Sequence, residues 1–132
     1  MVFHHNIYTE KRNETINITK LVEESILKSG IKDGIAIIYT THTTAGITIN
    51  ENADPDVQKD MICFLNKLIP NLPTFEHTEG NSDSHIKSTL VGNSKTLIIE
   101  NGKLILGRWQ GLYFFEFDGP RERKVIIKVI GD

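Results

Sequence analysis

No intrachain disulfide can form in this chain, because its 132 residues include a single cysteine, Cys63. That thiol sits in the run Met61-Ile62-Cys63-Phe64-Leu65, whose apolar setting predicts a buried and inert side chain. No stretch approaches the ~20 apolar residues that a bilayer demands, so no membrane partner is expected. The opening, Met1-Val2-Phe3-His4-His5-Asn6, lacks a positive segment followed by an apolar one, and a cytoplasmic location is the resulting expectation. An excess of charge is missing too. With 15 Lys and Arg against 17 Asp and Glu, the net charge gives no electrostatic case for binding nucleic acid. Apolar residues at 39% and charged residues at 24% separate it from disordered chains, and its length suits one domain over residues 1–132.

Val2 to Thr9 alternates roughly and predicts a strand, followed by a polar turn at Lys11-Arg12-Asn13-Glu14. A helix is expected from Thr19, its candidate N-cap, with Leu21, Val22 and Ile26 on one stripe and Gly30 as the C-cap. Gly34 to Thr40 is short, β-branched and apolar, the pattern of a central strand covered on both faces. Ile47 to Asn50 alternates again. Asp54-Pro55 then opens a second helix, with Val57, Met61, Phe64, Leu65 and Leu68 at helical spacing and an end before Pro70. Residues 70–84 lack periodicity and predict a functional loop. Four strand-like runs close the chain, at 95–100, 103–109, 112–117 and 123–130, punctuated by Asn101-Gly102, Gln110-Gly111 and Asp118-Gly119-Pro120. The fold class that follows is α+β, a compact domain with two to three helices, a mixed or antiparallel sheet and a C-terminal β-meander.

Three histidines, His42, His77 and His85, lie in polar, turn-rich surroundings, and three neutral imidazoles can hold a zinc-like ion with a position open to substrate. Exposed or structurally hydrogen-bonded histidines explain the same residues. In an extended segment Asp83 and His85 would point to one side, letting the carboxylate orient the imidazole. His4 and His5 would face opposite ways on a strand and are incidental. The run from Thr40 to Gly46 offers hydroxyls and a glycine to a phosphate, although threonine is also simply a good strand former. In Asn50 to Asp56, helix capping accounts for Asp54 and Asp56 but leaves Glu51 free for a hard cation such as magnesium. Arg108, Arg121 and Arg123 fall near hairpin ends, where a guanidinium can clamp a phosphate.

Taken together, His42-Thr43-Thr44-Ala45-Gly46, Asn50 to Pro55, His77 to Ser88, Gly107-Arg108-Trp109-Gln110 and Phe115 to Arg121 resemble the YjbQ family, in order and across most of the chain. The resemblance implies an α+β trimer with a metal or anion pocket near the histidines. It also implies a secondary thiamine-phosphate synthase activity, in which a hydroxymethylpyrimidine diphosphate is joined to a thiazole phosphate with release of pyrophosphate. Carried across residue by residue, it implies His42, His77 and His85 as ligands of a divalent metal, zinc or magnesium. Glu51, Glu79 and Asp83 become the catalytic carboxylates, and Thr43, Asn50, Ser88 and Arg121 the phosphate contacts. The reading is a metal-dependent enzyme acting on phosphorylated small molecules. Its alternatives are a non-catalytic module that sequesters a metal or phosphometabolite, and an oligomeric structural partner pairing through strand edges.

Overall fold

Punctuation in the sequence sets most element boundaries. The computed structural model describes residues 1–132 and orders its elements as β1 (Val2–Tyr8), β2 (Glu14–Asn17), α1 (Thr19–Ser29), β3 (Gly34–Tyr39), β4 (Ala45–Glu51), α2 (Pro55–Leu68), α3 (Ser82–Val91), β5 (Ser94–Glu100), β6 (Lys103–Leu104), β7 (Gln110–Glu116) and β8 (Glu122–Gly131). Gly30 ends α1 in the left-handed conformation at φ 70°, as its sequence position predicts. Thr19, expected as the N-cap, is instead the first helical residue. Ile18 holds the N-cap position without a side-chain cap, and Asn17 just before it accepts the Thr19 N–H at 3.0 Å and the Thr19 hydroxyl at 2.7 Å through its Oδ1. At α2 the Asp54 carboxylate accepts the Asp56 N–H at 2.9 Å and Pro55 opens the helix.

The strands form two antiparallel sheets, β1-β8-β3-β5-β6 and β2-β7-β4. This is the expected α+β class, but the final four strands do not make a meander. Only β5 and β6 pair as a hairpin, across Asn101 and Gly102 at φ 53° and 78°. β7 enters the smaller sheet between β2 and β4, and β8 crosses back to lie between β1 and β3. The apolar side chains of β8 must be buried on the face that also carries Ala36 and Ile38, which a sequential hairpin with β7 would not provide. One core joins the sheets: Val22 and Ile26 of α1, Ile38, Leu97 and Ile127 of the larger sheet, and Ile47 and Phe114 of the smaller. Each such side chain, fully buried, stabilises the fold by about 1.5–3 kcal/mol.

The opposite face of the larger sheet has no helix over it. The register aligns Ile98, Ile35 and Ile130 in one row and Tyr39 with Ile126 in another. Ile98 is 58% exposed and Ile130 42%. β3 is therefore central but not covered on both faces by its own chain. The apolar stripe of α2 is likewise only half covered, with Phe64 and Leu68 exposed, and Cys63 is exposed rather than buried. Helical spacing shows that a helix has an apolar face, not that a partner for it lies in the same chain. No helix is long and apolar enough to cross a membrane.

Candidate functional site: a polar cleft where β3 leaves the sheet

β8 is longer than β3. The last β3 pairing is Tyr39 with Ile126, so Lys124 lies beyond the ladder with its N–H and C=O still to be satisfied. Two side chains from the following loop supply the missing partners. Thr40 Oγ1 donates to the Lys124 carbonyl at 2.9 Å, and the Lys124 N–H donates to Nε2 of His42 at 2.9 Å. His42 is thereby oriented by the sheet edge itself. Partial burial, then the nearby Arg123 guanidinium, lower its pKa and hold the ring neutral at pH 7.

Beneath this loop lies a buried ion pair that ties the two sheets together. Arg123, 1% exposed, donates Nε to Glu116 Oε1 at 2.8 Å and a second hydrogen bond from Nη2 to Oε2. Nη2 also reaches the Thr44 carbonyl at 3.1 Å and its hydroxyl at 2.8 Å, fixing the loop just before β4. Glu116 accepts further from the Thr9 hydroxyl at 2.7 Å and the Asp118 N–H at 3.0 Å. Burial opposes the Glu116 charge, but the Arg123, Asp118 and Thr9 hydrogen bonds together outweigh it and hold the carboxyl below its ordinary range.

The facing wall is α3. Gly46 lets β4 approach it closely, since a Cβ there would stand 2.9 Å from both the Gly92 carbonyl and the Val91 side chain. The glycine thus serves packing rather than the phosphate approach anticipated from the sequence. Ser88 donates to the Ala45 carbonyl at 2.7 Å, and Lys95 caps the end of α3 through the Val91 carbonyl at 3.2 Å and reaches Ile47 O at 2.8 Å. Burial lowers the Lys95 pKa, and no carboxylate pairs with it. Between the walls opens a cleft of about 530 Å³, lined by Tyr39, Thr40, Thr41, His42, Thr43, His85, Ser88, Thr89, Gly92 and Asn93. None of these carries a negative charge. The backbone N–H groups of Thr41, Thr43 and Asn93 have no partner within the chain, so the cleft is rich in donors.

Of the residues singled out in the sequence, His42, Thr43, His85 and Ser88 line this cleft. Ser88 has already committed its proton to Ala45. His77 lies outside the lining but meets His85 edge to face, with ring centroids 5.5 Å apart and planes at 87°. Glu79 is exposed, 3.8 Å from His77 Nε2. Asp83 is not beside His85 in function: the segment is helical, not extended, so residues two apart diverge by about 200° around α3. Its carboxylate is buried and paired bidentately with Arg12 at 3.0 and 3.1 Å, with Lys87 at 3.7 Å one turn on. Burial alone would raise the Asp83 pKa, but Arg12 and Lys87 reverse this and hold it low. Arg121 is bound to Asp118 at 3.0 Å.

Glu51 and Asn50 stand at the other end of β4, five or more residues and about 17 Å of extended strand from Ala45. The Glu51 carboxylate accepts the Ala53 N–H at 2.7 Å and the Asp54 N–H at 3.2 Å, which gives the residue a turn-capping role. Asn50 Oδ1 accepts from Glu51 N at 2.7 Å.

The metal implied by the resemblance finds no complete site in one chain. No three His, Cys, Asp or Glu side chains are placed to hold an ion. The His77–His85 pair meets edge to face rather than converging its lone pairs, and the Nε2 of His42 is occupied by Lys124. Thr41 belongs to the hydroxyl-rich run picked out in the sequence, whereas Thr89 and Asn93 were not foreseen. A start signal at Asn81-Ser82, an acid in the first turn and Gly92 past the end would have revealed α3 and with it this wall.

Fold and cleft define a class: a small α+β protein of two antiparallel sheets with a donor-rich pocket at the broken edge of the larger one. Residues 4–132 match the family described as UPF0047 protein YjbQ-like, and the chain belongs to that family. It is 58% identical to the UPF0047 protein MJ1081 of Methanocaldococcus jannaschii, over all of this chain and 96% of that one. It is 55% identical to YugU of Bacillus subtilis, over 95% of this chain and 96% of the relative. The crystal structure of an uncharacterised conserved protein from Clostridium acetobutylicum superposes with a TM-score of 0.95 at 52% identity, over 97% of this chain and 99% of that one. A hypothetical protein from Aeropyrum pernix gives 0.95 at 32% identity, over 100% and 99%.

Proposed function

We propose that the cleft binds the phosphate groups of a small molecule and that the protein is an enzyme acting on it. The observation that carries this reading is the lining itself, in which hydroxyls, two imidazoles and free backbone N–H groups meet with no carboxylate to repel an anion. His42 and His85 are the groups placed to touch the ligand, with Thr43 beside them. The finer reading is thiamine-phosphate formation as a side activity, in which pyrophosphate is the leaving group and donors that stabilise its growing charge suffice without a protein nucleophile. A zinc or magnesium ion at this cleft would need phosphate oxygens or a second subunit to complete its ligands.

Inorganic pyrophosphate is expected to bind the wild-type protein in calorimetry, and His85→Ala to bind it about tenfold more weakly at an unchanged melting temperature. A wild type that ignores pyrophosphate refutes the reading. Thiamine phosphate accumulating beyond one equivalent per site supports catalysis; one equivalent or less supports the non-catalytic binding module.

The proposal includes a homo-oligomer, a trimer, for which the support is the uncovered apolar face around Ile35, Ile98 and Ile130. Tyr39 belongs both to that face and to the cleft lining, so a neighbour seated there would border the ligand. Light scattering on Ile98→Lys should report a single chain where the wild type reports three. Equal masses for the two proteins would remove this face from the assembly.

A further inference from the structure

A neutral imidazole has one N–H and one lone pair, whereas a backbone N–H can only donate. The Lys124 N–H lies 2.9 Å from Nε2 of His42, so that nitrogen supplies its lone pair and the ring proton sits on Nδ1. The two ring nitrogens point nearly opposite ways, which turns the Nδ1 edge away from β8. Binding a metal at Nδ1 would require the proton to move to Nε2, where it would oppose the Lys124 donor and cancel the contact that completes the sheet edge.

We infer that His42 is held as the Nδ1–H tautomer and serves the cleft as a hydrogen-bond donor to an anionic phosphate oxygen, not as a metal ligand. This rests on the phosphate reading of the cleft for the identity of its ligand. The tautomer itself follows from the backbone. The same residue of β8 is held at both its polar groups, its carbonyl by Thr40 and its N–H by His42, so the ring cannot rotate without uncovering the Lys124 N–H. Separately, burial and Arg123 disfavour a second ring proton, so the Nδ1–H persists as the single donor of a neutral ring. Free N–H groups at Thr41 and Thr43 flank it along the chain, which gives three donors within three residues and no acceptor of opposite purpose among the lining carboxylates, since there are none.

The experiment is long-range ¹H–¹⁵N correlation spectroscopy of the intact ¹⁵N-labelled protein, with His42 assigned by its loss in His42→Gln. The expected spectrum shows a protonated Nδ1 and an unprotonated Nε2, unchanged on adding zinc. The opposite tautomer, or loss of the Nδ1 proton with zinc, overturns the inference. His42→Met keeps a weak acceptor for the Lys124 N–H, its thioether sulfur, and has no donor. It should leave zinc affinity equal to that of the wild type and bind inorganic pyrophosphate roughly 10- to 100-fold more weakly. Unaltered pyrophosphate affinity in His42→Met refutes the donor role. A wild type that binds no pyrophosphate removes the phosphate reading and the donor's ligand together, while the tautomer spectra still decide against or for metal ligation.

Discussion

Replacing Asp83 by alanine should destabilise the protein by about 3–5 kcal/mol, because it strands the buried Lys87 ammonium without a counter-charge. Lys87 is 1% exposed and would keep only the amide oxygens of Asn13 and Asn66. Arg12 loses both of its hydrogen bonds to Asp83 but is partly exposed and returns to water. Urea unfolding measures the loss. Asp83→Ala combined with Lys87→Met should recover part of it by removing the unpaired charge. Pyrophosphate affinity of the folded fraction should stay near the wild-type value. An alanine variant of nearly wild-type stability that no longer binds pyrophosphate would instead return Asp83 to the catalytic role its sequence position implied.

Glu116→Ala is expected to cost a similar amount, about 3–5 kcal/mol, and to damage the cleft as well. It leaves Arg123 buried and unpaired, and Arg123 is what holds Thr44 beneath the His42 loop. Pyrophosphate should therefore bind several-fold more weakly even where the variant is fully folded. The pH dependence has a definite sign. Glu116 and Asp83 both have folded pKa values below those of free carboxyls, which are about 4.3 and 3.9. Their stabilisation is present above pH ~4 and is lost as pH falls through the lower folded values. Chemical denaturation between pH 2 and 6 should show Glu116→Ala with a shallower acid slope than the wild type. An acid slope identical to the wild type's would mean that Glu116 does not carry the charge described here.

Much of the architecture was legible along the chain. Helix α2 announces itself through Asp54 and Pro55, α1 ends at Gly30, and Asn101-Gly102 turns the β5–β6 hairpin, because caps and turns are local hydrogen-bonding problems solved by adjacent residues. Helix α3 was hidden by its composition: Ser82, Ser84, Ser88 and Thr89 dilute the apolar period, and its buried positions are largely polar. Strand β2 spans four residues, too few for alternation to separate it from a turn.

The candidate site divides along the same line. His42 and Thr43 could be picked out as chemically capable residues beside one another, and local residue types with their order were enough to establish the fold class and the family. Whether a given polar side chain faces a ligand or another side chain was settled only by folding, because its partner lies far away in the chain. Arg12 meets Asp83 across 71 residues, Thr40 and His42 meet Lys124 across 84 and 82, and Thr44 meets Arg123 across 79. Such contacts arise where β8 outruns β3 and where two sheets close over buried charge. A periodic pattern of apolar residues drives that closure but carries no record of which polar groups it will trap together.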